Sequence, residues 1–129
     1  RHRPDVIVSI NFRERWGEAG PYNHADHRAL GLALVDATRD AANRWLFTDA
    51  GEAWTGVRWL ACNASPRPTH AVDVTAHLDA GVASLRCHRT YLDALGGEFD
   101  PDTFLRSAAE QAGPALGVAL ATTFELIPA

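Results

Sequence analysis

The segment Tyr22-Asn23-His24-Ala25-Asp26-His27 places two of the chain's six histidines three positions apart, with a carboxylate between them. Imidazoles at i and i+3 on a helical turn can meet one metal ion, and imidazole nitrogen suits zinc. A catalytic zinc takes three protein ligands and keeps a fourth position open for water. The backbone cannot easily aim three donors within four residues at one ion, so the pair divides, one ring on the metal and one beside it. His27, opening a helix, is the rigid candidate ligand. His24 lies in the preceding loop, where Asp26 can favour its charged form and fix its tautomer. A ring so held stabilises a developing oxyanion or protonates a leaving nitrogen, and Tyr22 offers a second donor. The same residues also serve as an amino-terminal cap for orphan backbone donors. Spacing alone leaves both readings open.

The elements that would position this segment follow from periodicity. Asp5 to Ile10 is a short β-branched run after Pro4, the pattern of a buried parallel strand. Asn11 to Gly20 is a polar loop at its carboxyl end, where ligands bind in open α/β sheets, so Arg13 and Trp16 are candidate substrate contacts. Asn23 is a candidate contact of the same kind, and it or Asp26 can cap a helix. That helix is predicted from Asp26 to Phe47, with Leu30, Leu34, Ala37, Ala41 and Trp45 as its buried stripe. Further strands are predicted at Val57 to Cys62, at His70 to Val74 and near the end of the stretch from Gly117 to Ile127. Thr75 is the predicted cap of a helix striped by Leu78, Val82, Leu85, Leu92 and Leu95 and closed by Gly96-Gly97. A shorter helix starts at Pro101 and runs to Gly113. Strands alternating with helices predict an α/β fold with a mostly parallel sheet.

Composition narrows the classes. At 129 residues, with 47% apolar and 22% charged residues, the chain is expected to form one soluble domain. The formal net charge is −4, and all twelve basic residues are arginines scattered along the chain, which speaks against nucleic acid. No apolar run reaches the length of a membrane span. The two cysteines, Cys62 and Cys87, form no CxxC pattern, so a reducing, cytoplasmic compartment is the expectation.

Pro4-Asp5-Val6-Ile7-Val8, a polar loop, and then Tyr22-Asn23-His24-Ala25-Asp26-His27-Arg28-Ala29-Leu30-Gly31 together resemble the second half of the LmbE-like zinc N-deacetylases. That family includes N-acetylglucosaminyl-phosphatidylinositol de-N-acetylase and the mycothiol-pathway deacetylases. Its His-Pro-Asp-His motif opens a helix in the same way. Thr69 to Thr75 and Leu85 to Thr90 are similar to the family's later strand and helix. The resemblance implies the carboxyl-terminal part of a Rossmann-like three-layer fold and removal of an N-acetyl or N-acyl group from an N-acetylglucosamine-type glycoside. A natural-product, glycopeptide antibiotic or mycothiol-type conjugate is the implied substrate. By resemblance His27 is a zinc ligand, and His24 is the oxyanion-stabilising or acid histidine with Asp26 as its orienting carboxylate. Tyr22 polarises the scissile carbonyl, and His88 is a rim or structural histidine. Zinc then lowers the pKa of a bound water. Ala25 stands where the family has proline, and Thr90-Tyr91 stands where Ser-Gln is common. The family's Ala-His-Pro-Asp-Asp-Glu motif is absent, and His2-Arg3-Pro4-Asp5 only echoes it ahead of the strand. The chain is therefore expected to be a single-domain fragment, residues 1–129, whose partner is an amino-terminal segment carrying the other zinc ligands.

Two other classes compete. An HD-type phosphohydrolase uses the order His-Asp on an all-helical scaffold, whereas here the order is Asp-His with strands. A non-catalytic sugar-binding or partner-dependent module would keep part of the site without its chemistry.

Overall fold

The computed structural model describes residues 2–129. Four strands and four helices follow one another as β1 (Val6–Ile10), α1 (Ala25–Ala41), β2 (Trp59–Asn63), β3 (His70–Asp73), α2 (Leu78–Arg86), α3 (Arg89–Leu95), α4 (Pro101–Ala112) and β4 (Ala121–Pro128). The sheet order is β1-β2-β4-β3. The α/β class is as expected, but the sheet is mixed. β1 pairs parallel with β2, from Val6 opposite Trp59 to Ile10 opposite Asn63, while β2 pairs antiparallel with β4. A strand's own residues do not encode its direction. That is set by where the preceding connection returns the chain, which periodicity does not report.

The chain divides into two compact units, 1–70 with 124–129, and 71–123. In the first, Leu60, Ala61 and Cys62 of β2 are buried. Helix α1 packs on β1. Its inward residues are Gly31 and Thr38, with His27 and Leu34 half-buried. This face is rotated by about one residue from the predicted leucine stripe, and Leu30 stays exposed. The cause is close approach rather than hydrophobicity. A Cβ on Gly31 would lie 2.1 Å from Phe12 Cβ, so the missing side chain is what lets the helix meet the loop. Thr38 satisfies its hydroxyl on the Leu34 carbonyl, which makes its burial tolerable. The helix stops at Ala41, six residues before the predicted end at Phe47. There the side chain of Asn43 accepts from the Trp45 backbone N–H and substitutes a turn for the next helical bond.

The second unit has its own core of Leu78, Val82, Ala109 and Leu120, with Val74 and Leu105 against it. Pro101 sits in the first turn of α4, as predicted, and Asp100, which the sequence reading did not single out, caps it by accepting from Thr103 N. The helix predicted from Thr75 to Gly96 is instead two, α2 and α3, broken at Cys87 and His88. Thr75 is not a cap, because its hydroxyl pairs with the backbone of Leu120. His77 occupies the cap position without a side-chain bond.

One face of β1 is uncovered. Val8 is 69% exposed and Val6 is exposed beside it, and β1 is the outermost strand of the described sheet. Leu30, Leu32 and Val35 of α1 are exposed as well.

Replacing an interior helical glycine by alanine ordinarily stabilises by up to about 1 kcal/mol. Gly31→Ala is expected to do the reverse, costing about 1–3 kcal/mol as Phe12 is displaced. The urea midpoint is the measurement, and a rise in stability would contradict the close approach.

Candidate active site

The loop from Asn11 to Asn23 has little regular structure, so its backbone polar groups need partners from side chains. Two buried amides supply them. Asn11 is 0% exposed; its Nδ2 donates to the Arg15 carbonyl at 2.9 Å, and its Oδ1 accepts from Arg13 N. Asn23 is 3% exposed, and its Nδ2 donates to the carbonyls of Asn11 at 2.7 Å and Arg13 at 3.1 Å. A backbone bridge between Arg15 and Tyr22 closes the loop.

Asn23 Oδ1 accepts from His24 N at 2.8 Å and meets His27 Nδ1 at 2.9 Å. Both Asn23 Nδ2 protons point at carbonyls, so the amide cannot be turned round. Its oxygen can only accept, and His27 Nδ1 must therefore carry the ring proton. In the neutral ring Nε2 is left with a free electron pair. Trp16 meets the same ring edge-on, with centroids 5.7 Å apart.

His24 has the opposite arrangement. It, and not the expected Asn23 or Asp26, is the N-cap of α1, because its Nδ1 accepts from Asp26 N at 3.2 Å while the Asn23 side chain is taken up by the loop. The neutral ring must then carry its proton on Nε2. The two rings lie 5.9 Å apart, one offering an electron pair and the other an N–H. The Asp26 carboxylate is 3.5 Å from His24 Nδ1. It becomes a partner at that atom only if the ring is protonated and the cap bond is given up; otherwise the backbone N–H of Asp26 does the orienting. Tyr22 is exposed, with the Arg15 guanidinium 4.1 Å above its ring.

The three residues expected to meet substrate sit differently from one another. Trp16 is half-buried against His27. Asn23 is inside the loop with all four hydrogen-bonding positions of its side chain in use. Arg13 donates Nε and a terminal nitrogen to the two oxygens of Glu125, which also accepts from Ser65 Oγ. Burial pushes the Glu125 carboxyl up, but the hydrogen bonds from Arg13 and Ser65 outweigh it and hold it below its ordinary value. The Glu125 bond raises the Arg13 guanidinium in turn. Burial raises the neighbouring Cys62 thiol. Sequence reading missed Glu125; a lone acid in an apolar terminal strand was its only signal.

Donors for a metal are few. Among the described residues no three His, Cys, Asp or Glu side chains gather closely enough to hold an ion. His27, with Nδ1 fixed and Nε2 free, has the form of a single ligand, but the chain's own residues do not complete a zinc site. His88 is exposed at the start of α3, in the second unit. Cys62 and Cys87 are both free thiols. Among the described residues no helix is long and apolar enough to cross a membrane.

No protein-family profile matches the chain, and no curated protein matches it. Among solved structures it is similar to N,N'-diacetylchitobiose deacetylase from Pyrococcus horikoshii complexed with an inhibitor, with a TM-score of 0.77 and 22% sequence identity. The match covers 98% of this chain and 46% of that one, so the chain spans less than half the length of the enzyme it resembles in fold.

Glu125 gains its native partners as a carboxylate, so its folded pKa lies below its unfolded one. The stability it adds is full above the ordinary glutamate range and is lost as pH falls through the folded value. Glu125→Gln is expected to flatten that part of the stability-against-pH curve relative to the parent. An unchanged acid limb in chemical denaturation would contradict the pairing with Arg13 and Ser65.

Proposed function

We propose that this chain is the carboxyl-terminal part of a hydrolase that removes the N-acetyl group from an N-acetylglucosamine-type glycoside. The observation that carries the reading is the histidine pair on this fold. His27 offers an unprotonated nitrogen and His24 an N–H, 5.9 Å apart between ring centroids, in a chain whose fold is similar to that of a chitobiose deacetylase. Amide hydrolysis needs a donor where negative charge grows on the carbonyl oxygen and a proton for the departing nitrogen. The Nε2–H of His24 meets that need, with Tyr22 as a second donor and Trp16 as a wall against the sugar ring. Asn23 acts through His27, fixing its ring, and Arg13 acts through Glu125, holding the loop.

Among the described residues the donors do not complete a metal centre. In the proposed enzyme His27 is one zinc ligand and the others come from polypeptide outside these residues, as does the base that activates water. The exposed Val6 and Val8 of β1 and the exposed leucines of α1 support that reading, since a strand and helix of this composition are usually covered.

Two experiments test the proposal. In the longest native polypeptide carrying this sequence, acetate release from N,N'-diacetylchitobiose is expected to fall about 100-fold or more in His24→Ala with zinc content kept. His27→Ala is expected to lose zinc and activity together. Equal zinc loss in both variants would overturn the division of roles, and absence of acetate release by the parent would overturn the reaction. Val8→Lys is expected to lower the melting temperature of that longer polypeptide while changing the stability of the 129-residue chain by less than about 0.5 kcal/mol. The same shift in both would argue that nothing covers β1.

A further inference from the structure

A cleft of about 610 Å³ lies against the loop after β1, and four arginines line it, Arg13, Arg15, Arg28 and Arg67. Two of these charges are already committed. Arg13 is paired with Glu125, and Arg15 donates to the Gly20 carbonyl and lies over Tyr22. Arg28 and Arg67 have no side-chain hydrogen bond or ion pair among the described residues. The cleft also holds Glu14 and Glu18, and among the described residues neither makes an ion pair. Guanidiniums that line one cleft without an ion pair are the fork-shaped donors that planar or tetrahedral oxyanions take up.

The backbone around them is held in place. Arg67 lies between Pro66 and Pro68, and its N–H donates to the buried Ser65 hydroxyl at 3.2 Å. That hydroxyl donates in turn to Glu125. Arg28 stands in the first turns of α1, where its N–H bonds to the His24 carbonyl. Phe12 and Pro66 give the cleft an apolar floor.

We infer that this cleft binds the oxyanion of a phosphorylated or carboxylated small molecule, through Arg28 and Arg67. Glu125 is held by two hydrogen bonds from Arg13 and feels the Arg67 charge only at longer range, so among the described residues neither Arg28 nor Arg67 is closed off by an ion pair of its own. The inference does not rest on the deacetylase reading, because its test reads binding and not acetate.

Calorimetric titration of the chain at low ionic strength tests it with four probes: inorganic phosphate, N-acetylglucosamine 1-phosphate, N-acetylmuramic acid and neutral N-acetylglucosamine. Phosphate and at least one of the two charged sugars are expected to bind, and the neutral sugar is expected to bind at least tenfold more weakly. The stronger of the charged sugars identifies the oxyanion as phosphoryl or carboxyl. Arg28→Gln and Arg67→Gln are each expected to weaken phosphate by about tenfold or more. Arg44→Gln, which removes the same charge outside the cleft, is expected to leave it unchanged. Equal binding of the neutral sugar, an equal loss in Arg44→Gln, or full phosphate binding in the double variant Arg28→Gln/Arg67→Gln would overturn the site. Both arginines are exposed, so circular dichroism of the variants should match the parent.

Discussion

The first unit depends on two amides that never reach solvent. Asn11 and Asn23 hold together a loop that has almost no ladder bonds of its own. Asn23 N donates to the Glu14 carbonyl, and the side chains of both asparagines take carbonyls and N–H groups that would otherwise be stranded. A buried polar group without a partner costs about 1–3 kcal/mol, so the penalty for removing either amide falls on several groups together. The loop therefore behaves as one unit, although it has no secondary structure to make it so.

A second tether ties that loop to the sheet. Glu125 stands opposite Cys62 in the β2–β4 pairing and receives Arg13 from the loop and Ser65 from the turn after β2. Buried ion pairs seldom add net stability, because desolvation offsets their attraction; removing one partner still costs roughly 3–5 kcal/mol. Their value is positional. Three segments far apart in the chain meet at one carboxylate, and a shift of the loop would strand a charge. Arg13 is consequently held by the sheet as well as by its own loop.

Local grammar was legible in the sequence and long-range geometry was not. The β-branched run of β1, a helix opening within a residue of Asp26 and the first-turn Pro101 of α4 sit where residue chemistry put them, while the caps fell to His24 and Asp100 instead. The phase of α1 was not readable, because apolar spacing pointed to Leu30 while the fit of Phe12 against Gly31 turned the helix. The break at His88 leaves no trace in the apolar spacing, since Leu78 to Leu95 keep one helical period across it. The candidate site divides in the same way. Its histidines announce themselves by spacing. Glu125, more than a hundred positions from Arg13, does not. Asn23 was visible as a polar residue near the histidines, but its burial, and so its action through His27, depends on Asn11 and on the course of the loop.

Spacing presented a cap and a catalytic pair as alternatives, and the geometry lets the bonds at the helix start, the cap among them, fix the tautomers of both rings. A histidine that caps through Nδ1 must keep that atom unprotonated, so the neutral ring has its proton on Nε2. A histidine one turn later whose Nδ1 faces an amide oxygen must hold its proton there and leave Nε2 bare. Each ring is fixed by a different bond, and each bond exists because α1 begins where it does. Moving the helix start by one residue would remove the cap from His24, take His27 away from Asn23 and leave both rings free to exchange tautomers. The complementarity of the pair is thus a property of the helix terminus. For this reason the buried asparagines, through the loop and the helix start, govern which nitrogen of each ring carries the proton.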